Sequence, residues 1–189
     1  VGAQGLAAGG DCVDAIVATT MALNVLEPWD SGIGGGGAMV LYRAKENRFE
    51  VIDYGMCAPQ SLRTAVYPLS GEGAASDLFP GPRVKDDRNI HGPGAIAVPG
   101  VVAGMEEAHR RHDKVPWKHL VAPAAALAGE GLLADWWTTL TIASSAADLR
   151  RYPASAAAFL KDGLPPTAPW GIKSETRLPQ DKLKATLSH

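Results

Sequence analysis

The first strong hydrophobic pattern predicts a helix over Cys12–Leu26. Apolar residues fall on nearly every side of this segment, which is typical of a helix buried between layers. Asp11 precedes it and can cap the first free N–H groups, and Pro28 follows it. Asp14 and Asn24 interrupt the apolar run, which is shorter than the roughly 18 clean residues that a membrane span requires.

Two strand-length apolar segments follow this helix. Ala38–Arg43 and Arg48–Tyr54 carry Val, Leu, Tyr, Phe and Ile on either side of the polar turn Lys45–Asn47. This pattern predicts an antiparallel hairpin.

The remainder alternates between irregular and helical patterns. Residues 63–93 are rich in Gly, Pro, Ser and Asp and predict a long loop close to a site. Ala95–Val98 predicts a short strand that ends at Pro99, and apolar residues recur at helical spacing from Val101 to Ala108. Further helices are predicted over Trp117–Ala128, Asp135–Arg150 and Ala154–Leu160.

Composition and charge narrow the function classes. The chain has 189 residues, of which 46% are hydrophobic and 20% charged, as in one globular domain or a large part of one. Its formal net charge of -2 lacks the basic footprint of proteins that bind nucleic acid or an anionic membrane. We expect a soluble protein, and the sequence leaves a cytoplasmic or a periplasmic location open.

A glycine run is the most conspicuous chemical feature. Its glycines are Gly32, Gly34, Gly35, Gly36 and Gly37. Glycine permits positive φ and close backbone approach, so the run suits either an N–H nest for an anion or a tight structural turn. A nucleotide loop is disfavoured, because this run leaves a helix and enters a hairpin, with no Lys-Ser/Thr after it.

Histidines and cysteines offer weaker candidates. His109 and His112 have i, i+3 spacing, but no H-E-x-x-H motif accompanies them, so we expect solvated side chains and no metal site. Cys12 and Cys57 are too far apart in sequence for a zinc knuckle or a redox pair, and we expect buried thiols.

The aromatic and serine candidates do not complete a catalytic set. Trp136, Trp137 and Tyr152 are expected in the core or at an interface. Ser144 and Ser145 lack an S-x-x-K partner, and no G-x-S-x-G elbow occurs in the sequence. The residues alone therefore show no catalytic machinery.

Four segments, read together, resemble the γ-glutamyltransferase family. They are Gly9–Ala15, Glu27–Gly37, Gly94–Gly104 and Arg177–Leu187, in the family's order over nearly the whole chain. They are similar to its large-subunit signatures GGNAVDA, EPxxSGIGGGG, AVPGxVAG and R-L-x-Q-x-x-L-x-x-T-L.

The resemblance implies an α+β fold, the four-layer αββα sandwich of N-terminal-nucleophile hydrolases. Residues 1–189 would be a single incomplete domain, the N-terminal part of a large subunit. The nucleophile would be the N-terminal Thr of a small subunit cut from the same precursor. Val1 has neither hydroxyl nor thiol, so no catalytic residue is expected in this chain, and no cofactor is implied.

One segment departs from the family pattern and points to the substrate. Where family members acting on glutathione carry D-Y/F-R-E-x-A-P, this chain has Asp53–Pro59, with Gly55 in place of the Arg that holds the substrate α-carboxylate. We therefore expect Gly55, Met56 and Cys57 to contact a small-molecule amide without a glutamyl group, such as an oxamate-like or acylamide substrate.

Three alternatives stay open for this segment and for the chain. Arg63 or an Arg of the small subunit could restore carboxylate binding, giving a glutathione hydrolase or γ-glutamyltransferase proper. The chain could also belong to an inactive, family-derived binding protein. Finally, Gly55–Cys57 could serve only in packing at the end of a strand.

Overall fold

The computed structural model describes residues 1–74, 81–112, 114–167 and 175–189. The described residues form two compact units, one of residues 1–33 and 105–189 and the other of residues 34–104. Whether the whole chain is a single incomplete domain remains a prediction.

Helices dominate the first unit. They are α1 (Gly2–Ala7), α2 (Cys12–Leu26), α3 (Pro28–Ser31), α5 (Trp117–Glu130), α6 (Trp136–Ser144), α7 (Ala146–Leu149), α8 (Pro153–Phe159) and α9 (Asp181–Leu187). Helix α4 (Val101–His112) begins in the second unit and continues into the first. Two short strands, β5 (Leu132–Leu133) and β6 (Arg177–Leu178), pair antiparallel.

Helix α2 forms the centre of the first unit, with the bounds that the sequence predicts. One side packs against α1, α3 and α5, and Val17 and Val25 are fully buried there. Ile16 and Leu26 remain 42% and 43% exposed, so within the described residues the helix is buried on one side only. Apolar burial of this kind contributes about 25 cal/mol per Å².

A second apolar cluster lies where β5 and β6 meet the C-terminal helices. Its buried members are Leu132, Ile142, Ala146, Leu160 and Leu178. Half-buried residues pack around it, namely Trp29, Leu149, Ala156 and Phe159. This cluster fixes the short β5–β6 pair against α6, α7 and α8.

The second unit is built on the predicted hairpin. Strand β1 (Gly37–Arg43) pairs antiparallel with β2 (Arg48–Tyr54) from Gly37 opposite Tyr54 to Arg43 opposite Arg48. Met39, Leu41 and Ile52 are buried, while side chains of the opposite face are exposed. The alternation follows the period of two that places successive side chains on opposite faces of a sheet.

The segment 63–93 contains more regular structure than a loop. Strands β3 (Leu69–Ala74) and β4 (Pro82–Val84) pair antiparallel, and short 3₁₀ turns cover Thr64–Val66 and Lys85–Asp87. Residues 75–80 of this segment lie outside the described residues.

Two element predictions were wrong in detail. Pro93–Ala95 is a 3₁₀ turn, and only Val98 of the predicted strand makes a bridge, because Pro93 and Pro99 leave room for little more. The predicted helix over Asp135–Arg150 is two helices that break at Ser145, whose N–H turns to the Ile142 carbonyl oxygen.

In the described part of the chain, no helix combines the length and apolarity needed to cross a bilayer.

Candidate functional site

The glycine run, the end of β2 and the start of α4 meet within the second unit. The Gly35 carbonyl oxygen accepts the N–H groups of Gly100 (2.9 Å) and Val101 (3.1 Å). The first N–H groups of a helix have no partner inside the helix, so this carbonyl caps α4. The glycine run therefore holds the first residues of α4 in place within the second unit.

Tyr54, the last residue of β2, is surrounded by glycines. A Cβ at Gly36 would lie 2.7 Å from both the Tyr54 carbonyl oxygen and the Met56 nitrogen. A Cβ at Gly100 would overlap the same carbonyl oxygen, and one at Gly104 would overlap the Tyr54 ring. Backbone and ring can approach this closely only because the neighbouring residues have no side chain.

These contacts favour the structural interpretation of the glycine run. None of the five glycines of the run has a positive φ. An N–H nest uses a residue in that conformation. Gly32 belongs to the end of α3, where a Cβ would meet the Pro28 carbonyl oxygen at 2.6 Å. Gly34 differs from the rest of the run, since no atom lies within 4 Å of a Cβ built there.

The segment 55–57 is tied at both ends. On one side, the Gly55 N–H donates to the Asp53 carboxylate, Oδ1, at 2.9 Å. On the other, Cys57 and Val98 exchange two backbone hydrogen bonds of 3.2 and 2.8 Å. The structure thus brings the three predicted residues together on a short, anchored turn at the end of the strand.

The exposed surface of this segment is small and apolar. Gly55 and Cys57 are exposed, and Met56 is 58% exposed. Arg63, the cation that the sequence offers as a replacement for the missing Arg, donates through Nη1 to the carbonyl oxygens of Gln60 (3.3 Å) and Leu62 (2.9 Å). Its guanidinium is turned toward its own loop.

A buried carboxylate, Asp14, has a structural role that sequence reasoning missed. Its Oδ2 accepts the Asp11 N–H at 2.9 Å, and the Asp11 carboxylate accepts the Val13 N–H at 2.8 Å, which makes a capping box. Asp14 Oδ1 accepts the N–H groups of Val115 (3.3 Å) and Lys114 (3.5 Å). Acidic residues at both the cap and the third helical position were the signal that could have revealed it.

The C-terminal motif is also structural within this chain. Arg177 Nη1 donates to the Gly131 carbonyl oxygen at 2.9 Å, at the end of α5. Gln180 Nε2 donates to the Val25 carbonyl oxygen at 3.0 Å, near the end of α2. These bonds join residues far apart in sequence, so the motif stabilises the first unit.

The structure corrects the histidine and cysteine predictions. His109 is half-buried rather than solvated, because Nε2 donates to the Val115 carbonyl oxygen at 2.8 Å and the ring meets Trp117 edge-on. Cys12 and Cys57 are exposed rather than buried. Cys12 is the first residue of α2, and Cys57 lies beyond the end of β2 at an isolated bridge to Val98. Within the described ranges, no three His, Cys, Asp or Glu residues cluster at metal-binding distance.

The tryptophan pair lies on the surface of this chain. Trp136 is 72% exposed and Trp137 46% exposed, with ring centroids 5.6 Å apart, whereas Tyr152 is half-buried. A core position is therefore wrong for the tryptophans, and an interface remains a prediction.

Comparison with known proteins identifies relatives of this chain. The chain is 39% identical over 166 residues to the acylase ACY 1 proenzyme of Pseudomonas sp. strain V22, covering 87% of this chain and 28% of the relative. It is 40% identical over 131 residues to the glutathione hydrolase proenzyme of Pseudomonas aeruginosa, covering 69% and 21%. The chain thus spans less than a third of the length of these curated relatives.

A solved structure shows the same fold. The gamma-glutamyltranspeptidase of Helicobacter pylori matches with a TM-score of 0.81 and 27% identity, over 98% of this chain and 49% of that chain. This confirms the α+β class and the N-terminal-nucleophile hydrolase type, of which this chain supplies a part. The relatives are hydrolases and transferases.

A sequence profile described as "Gamma-glutamyltranspeptidase" matches residues 1–187. With that match over nearly its entire length, the chain belongs to the gamma-glutamyltranspeptidase family.

Proposed function

We propose that this chain is the N-terminal part of the large subunit of an amide hydrolase or acyltransferase. Its family and the proenzyme names of two relatives support a precursor that is cut into two subunits. The catalytic Thr stands at the start of the small subunit, outside the residues of this chain.

In the reaction that we propose, this Thr supplies both the nucleophile and the general base. Its hydroxyl oxygen attacks the amide carbonyl carbon while its α-amino group takes the hydroxyl proton. The carbon–nitrogen bond breaks, the amine leaves with that proton, and the acyl group stays on the Thr oxygen as an ester. Water or an acceptor amine then attacks the ester carbon and gives one proton, through the α-amino group, to the departing Thr oxygen. This step releases the acyl group as an acid or a new amide and restores the Thr hydroxyl.

Two observations support a substrate without a glutamyl group. Gly55 occupies the position of the family's carboxylate-binding Arg, and the nearby Arg63 guanidinium hydrogen-bonds to its own loop. A charge-assisted Arg–carboxylate bond contributes roughly 1.5 to 3 kcal/mol and fixes orientation. Without it, selection for a γ-glutamyl group is weak. Of the two predicted substrate classes, an uncharged acylamide fits better than an oxamate, whose acyl group itself carries a carboxylate.

Gly55, Met56 and Cys57 line the acyl side of the proposed site. Their turn is anchored at both ends and presents an exposed Met side chain and a thiol. An anchored turn with an exposed apolar side chain suits contact with an apolar part of an acyl group. The alternative role, packing at the end of the strand, explains the enclosed position of Tyr54. It does not explain why the Met56 side chain is exposed.

Glutathione hydrolysis is the second candidate function. The 40% identity to a glutathione hydrolase proenzyme favours it. It requires that an Arg from the remainder of the protein reach the substrate carboxylate in place of the missing side chain at position 55.

The ratio of kcat/KM values for two amides decides between the candidates. The complete, processed protein is assayed with a γ-glutamyl amide and with an uncharged acylamide that share one chromogenic amine. We expect a higher kcat/KM for the acylamide. A preference for the γ-glutamyl amide would overturn the substrate proposal in favour of glutathione hydrolysis, and turnover of neither substrate would favour an inactive binding protein.

A further inference from the structure

Asp53 is the one charged side chain between residues 53 and 59. It is exposed at the end of β2, and its Oδ1 accepts the Gly55 N–H at 2.9 Å. Among the residues that the structure describes, no Lys or Arg forms an ion pair with it. The carboxylate therefore brings an uncompensated negative charge to the turn that precedes Met56.

The hydrogen bond to Asp53 acts where the turn is otherwise least constrained. The Tyr54 carbonyl is enclosed by Gly36 and Gly100, and Cys57 is held by two bonds to Val98. Gly55 lies between these anchors, and glycine has more backbone freedom than any other residue. A side-chain oxygen that accepts the N–H two residues ahead closes a local turn and restricts that freedom.

The orientation of the Gly55 peptide determines where Met56 is presented. The Met56 nitrogen is the next backbone donor along the chain, and it lies close to Gly36, at 2.7 Å from where a Cβ would be. Rotation of the Gly55–Met56 peptide would change the direction of the exposed Met56 side chain. The Asp53 carboxylate holds the preceding peptide, Tyr54–Gly55, and so fixes the point from which the Gly55–Met56 peptide continues.

The charge of Asp53 also discriminates between acyl groups. Two like charges about 6 Å apart in a water-like dielectric repel enough to change an affinity about threefold. An acyl group with its own carboxylate would meet this repulsion without a cation on the turn to offset it. An uncharged acyl group would not.

We propose that Asp53 is a positioning and specificity residue. Its carboxylate fixes the Tyr54–Gly55 peptide that precedes Met56. Its charge, which no Lys or Arg of the described residues pairs, disfavours acyl groups that carry a carboxylate, so the preferred acyl group is uncharged. This inference rests on the proposed function, because it takes the 55–57 turn to contact the acyl group.

Two substitutions separate the hydrogen bond from the charge. Asp53→Asn keeps an oxygen that can accept the Gly55 N–H and removes the charge, whereas Asp53→Ala removes both. The complete, processed protein is assayed with an uncharged acylamide and with an analogue that carries a carboxylate on the acyl group. Thermal unfolding of each variant is recorded alongside.

The expected results differ for each variant. With the uncharged amide, Asp53→Ala raises KM about fivefold, the value of one ordinary hydrogen bond, while kcat stays within about twofold. Asp53→Asn restores KM for that amide to within about twofold of wild type. With the carboxylate-bearing amide, Asp53→Asn lowers KM about threefold.

Two outcomes would overturn this inference. One is an Asp53→Ala protein with wild-type KM for both amides. The other is an Asp53→Asn protein as impaired as Asp53→Ala, since the acceptor oxygen would then have no role. A wild-type preference for the γ-glutamyl amide is a different result, because it would overturn the substrate proposal while the KM values of the two variants would still test whether Asp53 positions the turn.

Discussion

The two compact units each use an aspartate to hold backbone N–H groups, with different consequences. Asp14 is completely buried, and its two oxygens accept from Asp11 and from the segment before α5. Asp53 is exposed, and among the residues that the structure describes it accepts from Gly55 alone. A buried carboxylate whose partners are lost leaves unsatisfied groups in the core, whereas an exposed one is replaced by water. The same bond therefore stabilises a fold in one place and orients an exposed turn in the other.

The largest effect is expected at Asp14. Asp14→Ala removes the acceptor of the buried Val115 N–H and of the part-buried Asp11 and Lys114 N–H groups, and it should lower the free energy of unfolding by about 3 kcal/mol. Asp14→Asn, which keeps one acceptor oxygen, should lose less. Urea denaturation of the complete protein measures both values. A stability of Asp14→Ala equal to that of wild type would remove the distinction between the two aspartates.

The next effect is expected at the glycine run. Gly36→Ala places a Cβ against the Tyr54 carbonyl oxygen and the Met56 nitrogen and should cost about 2 kcal/mol, within the range for overpacking. Gly34→Ala is the matched control, because a Cβ there meets nothing within 4 Å, and it should be nearly neutral. Equal stabilities of the two variants in urea would show that close approach does not explain this glycine.

A smaller, functional effect is expected at Gly55. Gly55→Arg supplies a guanidinium beside Asp53 and should raise kcat/KM for a γ-glutamyl amide about tenfold relative to an uncharged acylamide. Gly55→Gln is the control, since it adds an uncharged, though shorter, polar side chain at the same position. If both variants keep the wild-type preference, position 55 does not face the acyl group.

The smallest effect is expected on the exposed face of α4. Hydrogen bonds from Arg110 and then Arg111 lower the pKa of Glu107 from 4.5 to about 2. A lowered pKa gives stability that is present above 4.5 and lost as pH falls through about 2. Because the Glu107 side chain is 32% exposed and water screens its ion pairs, Glu107→Gln should change stability at pH 7 little more than the control Glu106→Gln. A large loss in urea at pH 7 would contradict this.

Local sequence signals predicted the elements that depend on neighbouring residues. Asp11 before an apolar run and Pro28 after it were sufficient to place α2, and the turn Lys45–Asn47 was sufficient to place the β1–β2 hairpin. The wrong strand prediction over Ala95–Val98 also came from local signals. Its apolar residues indicate a strand, but the flanking prolines limit its pairing.

Contacts between distant residues could not be predicted in this way. A glycine is needed at position 36 because the Tyr54 carbonyl oxygen lies where a side chain would begin. His109 is half-buried because its ring nitrogen bonds to the Val115 carbonyl oxygen. The resemblance to the family located the 55–57 turn, but the bond from Gly55 to Asp53 required the structure. The Gly36 and His109 contacts depend on which backbone atoms tertiary folding brings together. The Gly55–Asp53 bond is local, and it depends on how the chain bends at the end of β2.

Cleavage of an amide by the N-terminal Thr of a partner chain is the central claim of this account. Intact-mass and N-terminal sequence analysis of the complete protein, after reaction with an amide-directed covalent inhibitor, tests it most directly. The account predicts a second polypeptide that begins with Thr and carries the inhibitor on that residue. A purified protein in which no polypeptide begins with Thr, or in which the inhibitor modifies another residue, would contradict it.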